Sequence, residues 1–120
     1  MARVLILSSW VSVGPVGLAA AMPALQALGH NGWLDGHDAL LTGYLPSAEH
    51  VAAAVRLVHR LRAAPQPPRI VVDPILGDTP KGRYLPEPAA AALRETLVPL
   101  ADTLTPNLFE LGWLTGRPVT

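Results

Sequence analysis

The chain has 120 residues, half of them apolar, with 9 basic side chains against 9 acidic ones and no cysteine. That suffices for one globular domain with a sheet of about three to five strands, and it excludes disulfides, thiolate zinc sites and cysteine nucleophiles. A formal net charge of zero offers no electrostatic footprint for nucleic acid, no apolar run reaches the ~18 residues of a membrane span, and the first residues lack a signal-peptide pattern. The expected partner is therefore a small molecule, with no nucleic acid and no membrane, and the expected location is cytoplasmic.

In chain order, Val4 to Leu7 is a short apolar run, predicted as a strand covered on both faces. The turn Ser8-Ser9-Trp10-Val11-Ser12-Val13-Gly14-Pro15-Val16-Gly17 follows, rich in hydroxyls and glycines. A helix over about 16–28, closed by Gly29 and interrupted by Pro23, would aim free N–H groups back at that turn. Its glycines make neither a dinucleotide fingerprint nor a P-loop. Residues 30–38 are polar and fit no element. Ala39 to Gly43 reads as the next strand, ending at Gly43-Tyr44. Ser47 is placed to cap a helix in which Val51, Val55, Val58 and Leu61 recur every three or four residues, with Arg56 and Arg60 outward.

After a proline-rich turn, Ile70-Val71-Val72 reads as a buried parallel strand. It halts at Asp73-Pro74, because proline cannot donate a ladder hydrogen bond and pins its own φ. Pro88 suits the first turn of a helix carrying Leu93 and Leu97 on one side. Asp102 to Thr105 is predicted as a short last strand, and Asn107-Leu108-Phe109-Glu110 as a capping box opening a final helix. Strands alternating with helices describe an α/β fold with a doubly wound, mostly parallel sheet, in a single domain over 1–120.

The carboxyl ends of such strands, where open α/β sheets place their ligands, carry Ser9, Tyr44, Asp73 and Thr105. Asp78, Lys81 and Tyr84 follow Asp73 in a loop too long for a bare connection. Two carboxylates, a lysine and a phenol suit a metal-phosphate ligand: the acids hold the cation, and the lysine and hydroxyl hold phosphate oxygens. Each residue also has a purely structural reading. Asp73 before proline is a turn former, capping explains Asn107 and Glu110, Ser9 could satisfy loop backbone, and Tyr44 could be a rim aromatic with its hydroxyl in water. His30, His37, His50 and His59 show no metal spacing, and the last two are predicted to be solvated. Trp10, Trp33 and Trp113 read as packing residues.

Val72-Asp73-Pro74-Ile75-Leu76-Gly77-Asp78, Gly82-Arg83-Tyr84-Leu85-Pro86, the run Leu100 to Glu110 with Thr105-Pro106-Asn107-Leu108-Phe109-Glu110, and Leu114-Thr115-Gly116 together resemble the ribokinase-like superfamily of carbohydrate and vitamin kinases. Within it, Ser8-Ser9-Trp10-Val11 with Gly14 and Gly17, and Leu41-Thr42-Gly43-Tyr44-Leu45, are similar to the pyridoxal kinases. The resemblance implies a ribokinase-like fold and ATP-dependent phosphorylation of the 5′-hydroxymethyl of pyridoxal with Mg²⁺. It implies that Ser9 bonds the pyridine ring, with Val11 and Tyr44 lining its pocket. Asp73, Thr105, Glu110, Asp78 and Tyr84 would lie about the ATP, and Asp73, Asn107 and Glu110 about the metal, directly or through water. Members are commonly dimers, so a homodimer is the expected assembly.

The chain also departs from that pattern. Members are more than twice as long, and their general base is an aspartate in a later Gly-x-Gly-Asp loop that also forms an anion hole; nothing in these 120 residues matches it. Near 31–33 the family has a second strand, a lid-like segment and another helix, so an internal gap is expected there. Trp10 and Pro15 stand where histidine is common. The expectation is an N-terminal portion of a pyridoxal-kinase-like protein, with no catalytic base of its own and little or no activity alone. The alternatives are a hydroxymethylpyrimidine kinase of the same superfamily and a non-catalytic nucleotide-binding remnant.

Overall fold

The computed structural model describes residues 2–8 and 36–117. In chain order these form β1 (Val4–Leu7), β2 (Ala39–Thr42), α1 (Ala48–Arg62), β3 (Arg69–Val72), β4 (Gly77–Asp78), β5 (Gly82–Arg83), α2 (Glu87–Ala92), β6 (Thr103–Leu104) and α3 (Leu108–Thr115). The helix expected over 16–28 lies outside the described residues, as do Ser9, Val11 and the expected gap near 31–33.

β1, β2, β3 and β6 pair in parallel in that spatial order. Their register puts Leu5, Leu40 and Ile70 in one row and Leu7, Thr42, Val72 and Leu104 in the next. Because strand side chains alternate between faces, these two rows share one face, and Leu40, Thr42, Ile70 and Val72 on it are fully buried. α1 lays Val51, Ala54, Leu57, Val58 and Leu61 against this core, and the α2 stretch adds Ala89, Ala90, Leu93 and Leu97. Each large side chain so buried stabilises the fold by about 1.5–3 kcal/mol relative to exposure.

Several local rules hold as read. Ser47 Oγ accepts from the His50 N–H at 3.2 Å to cap α1, and Arg56 and Arg60 face outward. Asn107 and Glu110 complete both halves of the capping box, and Gly116 at φ 70° closes α3. The helix carrying Leu93 and Leu97 begins at Glu87 with Pro88 in its first turn. Beyond Ala92 it widens into a π-helical turn over Leu93–Leu97 and then tightens to a 3₁₀ turn over Val98–Leu100. Pro99 lacks the N–H that would continue the α-helical ladder.

Three expectations are corrected. β1 is not covered on both faces: Leu5 and Leu7 turn inward, while Val4 and Ile6 are 53% and 65% exposed. A continuous apolar run signals burial without saying which face is buried. His50 is not simply solvated; its ring Nδ1 lies 2.6 Å from Ser47 Oγ, because the third helical residue folds back onto its cap. The segment after Asp73 is no plain loop either. β4 and β5 form a small antiparallel hairpin pairing Gly77 with Arg83 and Asp78 with Gly82, and two-residue strands are too short for periodicity to reveal.

Candidate functional site: an acidic rim at the strand ends

The parallel ladder extends one residue past each strand. The Gly43 N–H donates to the Leu7 carbonyl at 2.9 Å, Asp73 N–H to Thr42 O at 3.0 Å, and Thr105 N–H to Val72 O at 3.2 Å. Residues far apart in sequence are thereby locked side by side at the carboxyl edge of the sheet. Ser8 joins them: its Oγ accepts from the Tyr44 N–H at 3.1 Å.

Asp73 is half-buried on this rim. Burial and the nearby negative charge of Glu110 raise its carboxyl above the usual aspartate range, and a side-chain hydrogen bond with Thr105 pulls the other way. Tyr84 behaves likewise. Partial burial, followed by the charges of Glu110 and Asp78, raises its phenol, with lesser contributions from Tyr44 and Asp73. At neutral pH the Tyr84 hydroxyl therefore keeps its proton and remains a hydrogen-bond donor. Tyr44, Asp73 and Thr105 follow the ends of β2, β3 and β6 and so lie at one end of the sheet, and Tyr84 feels the charges of Glu110, Asp78 and Asp73. Asp78, Tyr84, Thr105 and Asn107 are solvent-accessible.

Glu110 differs from the other acids. It is only 4% exposed, and both carboxylate oxygens accept backbone donors. Oε1 takes the Asn107 N–H at 3.0 Å; Oε2 takes Leu76 N–H at 2.9 Å and Gly77 N–H at 3.5 Å. Asn107 Oδ1 accepts from Glu110 N–H at 2.8 Å, and its Nδ2 donates to the Gly77 carbonyl at 2.9 Å. The cap of α3 is thus tied to the loop between Asp73 and Asp78. Capping alone could not have revealed this, because the partners of Glu110 across the chain are backbone groups, which carry no sequence signal.

Gly77 is where the two segments touch. A Cβ there would lie 2.5 Å from Phe109 Cε1, 2.6 Å from the Gly82 carbonyl oxygen and 2.8 Å from Arg83 Cα, so no larger residue fits without movement.

Among the described residues, no cluster of three or more histidine, aspartate or glutamate side chains could cage a metal ion. What the rim does offer is accessible carboxylates and hydroxyls, with Lys81 exposed on the turn between β4 and β5. That donor set fits a Mg²⁺ arriving on phosphates, which keeps most of its water and needs one or two carboxylates.

Residues 35–120 match the family model described as phosphomethylpyrimidine kinase. The chain belongs to that family. It is 47% identical over 95 residues to the pyridoxine/pyridoxal/pyridoxamine kinase of Bordetella avium, a match covering 79% of this chain and 32% of that protein. The pyridoxal kinase from Entamoeba histolytica has the same fold with a TM-score of 0.82, at 25% identity, covering 97% of this chain and 55% of that one. The Leishmania donovani pyridoxal kinase in complex with ADP and pyridoxamine matches with a TM-score of 0.75 at 28% identity, over 93% of this chain and 41% of that one. The fold is thus the α/β, ribokinase-like fold of the pyridoxal kinases, and the chain spans between a third and just over half the length of these family members. Among its described residues, no helix is long and apolar enough to cross a membrane.

Proposed function

We propose that this chain is part of a kinase transferring the γ-phosphoryl group of ATP to the 5′-hydroxymethyl of pyridoxal, in salvage of vitamin B6. The observation that carries the reading is the convergence of Asp73, Asp78, Tyr84 and Thr105 at the edge of the sheet that also carries Tyr44. The similarity to pyridoxal kinases, one of them in complex with ADP and pyridoxamine, supports it.

In this reading Ser9, Val11 and Tyr44 hold the pyridine ring, and Asp73, Asp78, Tyr84, Thr105 and Glu110 surround the nucleotide. Mg²⁺, held near Asp73 and Asn107, would supply charge neutralisation on the phosphates. Phosphoryl transfer is chiefly positioning and electrostatic stabilisation. Tyr84 O–H and the Lys81 ammonium would donate to phosphate oxygens, while Thr105 fixes the Asp73 carboxylate. The substrate oxygen forms the new bond to phosphorus as the bond to the ADP oxygen breaks, and its proton leaves to a base. The expected aspartate of a Gly-x-Gly-Asp loop has no counterpart here, so the 120-residue polypeptide is proposed to bind nucleotide with little or no turnover. Loss of a general base by itself typically costs about 10²–10⁴-fold. A segment missing near 31–33, a cytoplasmic location and a homodimer belong to the same proposal.

Calorimetric titration with MgATP is expected to give binding that Asp73→Ala weakens at least about tenfold, as for loss of a charge-assisted contact. Absence of heat with the wild-type chain, or no change on Asp73→Ala, would reject the site. The description of the matching family favours a second reading, phosphorylation of a hydroxymethylpyrimidine. Comparing ATP consumption with the two alcohols, in a protein that carries this chain and the base, separates them.

A further inference from the structure

Asp73 and Asp78 stand at the two ends of one loop, and part of that loop is held from outside. Leu76 N–H and Gly77 N–H, lying between the acids, find their acceptor on Glu110 Oε2. The Gly77 carbonyl finds its donor on Asn107 Nδ2. We propose that Glu110 is the positioning residue of this acidic loop: its carboxylate fixes the backbone at Leu76 and Gly77 so that Asp73 and Asp78 are presented to the ligand, and it is not itself a ligand to the cation.

Three observations carry this. Glu110 is buried, whereas Asp73 and Asp78 are more accessible. Both of its oxygens accept N–H donors, three in all, drawn from two segments of the chain. Among the described residues it makes no ion pair, so those N–H groups are what hold the charge in its buried place. A displacement of about 1 Å in groups that align phosphates can cost about 10²-fold in rate, which gives such a brace a role distinct from coordination. What the acids face rests on the kinase reading above.

The test uses the 120-residue chain and two measurements. The first is amide hydrogen exchange at Leu76 and Gly77, read by NMR without ligand. Glu110→Gln retains one acceptor oxygen but turns an NH₂ toward the other set of donors. Asn107→Asp retains the cap acceptor for the Glu110 N–H but sets a carboxylate oxygen against the Gly77 carbonyl. Both variants are expected to exchange at Leu76 and Gly77 about tenfold faster or more, the effect of losing one buried hydrogen bond to a charged group. Val58 in α1 should remain within about twofold of wild type, as a region that opens separately.

The second measurement is paramagnetic broadening by Mn²⁺ with ADP, which is expected to act on Asp73 resonances in wild type and still to do so in Glu110→Gln. Unchanged exchange at Leu76 and Gly77 in both variants would overturn the proposal. So would complete loss of Mn²⁺ broadening in Glu110→Gln with exchange unaltered, which would make Glu110 a ligand. A wild-type chain that MnADP fails to broaden would count against the kinase site, while the exchange comparison still judges the brace.

Discussion

Asp73 sits between opposing influences, and they make its effect on stability depend on pH. Burial and Glu110 raise its carboxyl above the ordinary 3.8, while the Thr105 hydrogen bond opposes them. The folded chain therefore holds this proton to a higher pH than the unfolded chain does. Stability then falls as pH rises through the window between the ordinary and the raised value, and the full cost remains above it. Asp73→Asn removes the ionisation and keeps an acceptor for Thr105. Without divalent cations, the variant is expected to melt at a higher temperature than wild type near about pH 7, with no advantage from this group near about pH 3, below the ordinary carboxylate range. Paired thermal melts at the two pH values check both the sign and the window. Equal melting temperatures at neutral pH would mean that the Asp73 carboxylate carries no net penalty. The same substitution is expected to weaken MgATP, since the charge that destabilises the empty fold is the one offered to the ligand, a common trade at sites built for binding.

At the scale of elements, the site depends on α3 meeting the β4–β5 hairpin. Gly77 lies at that junction, with Phe109 on one side and the Gly82 and Arg83 backbone on the other. Gly77→Ala is expected to destabilise the fold by about 1–3 kcal/mol, the usual effect of overpacking a tight contact, read as a lower urea midpoint at constant slope. It should also loosen the Glu110 bonds, so Gly77→Ala and Glu110→Gln should be less than additive. α3 has a further tie, because the Arg94 guanidinium lies 4.6 Å from the centre of the Trp113 ring. The short last helix is therefore fixed from two directions, by its cap and by its ring.

For the whole molecule, the exposed large apolar side chains among the described residues are Val4 and Ile6 on β1, Tyr84 after β5, Leu104 on β6, and Leu108 and Leu111 on α3, the most open being Ile6 at 65% and Leu108 at 64%. Among the described residues, β1 and β6 are the outer strands of the four-stranded sheet. Exposed apolar patches of this kind favour association. The double variant Ile6→Thr with Leu108→Thr is expected to change stability by no more than about 0.5 kcal/mol, as for surface positions, while reducing self-association in sedimentation experiments. A loss of several kcal/mol would show instead that these side chains are packed in solution.

The linear order of residues determined a good deal by itself. The strands at 39–42, 69–72 and 103–104, the capped helix over 48–62 and the Asn107–Glu110 box were all legible, because short apolar runs, prolines and capping side chains act within a few residues of themselves. The motifs around Asp73 and Asn107 likewise pointed to the family later matched over residues 35–120. Only the tertiary structure decided which face of β1 turns inward, that a hairpin follows Asp73, and that Glu110 grips the backbone of Leu76 and Gly77. Those outcomes rest on hydrogen bonds and contacts between segments some 30 residues apart. Backbone donors are the same at every position, so such a bond exists as information only once the chain has folded.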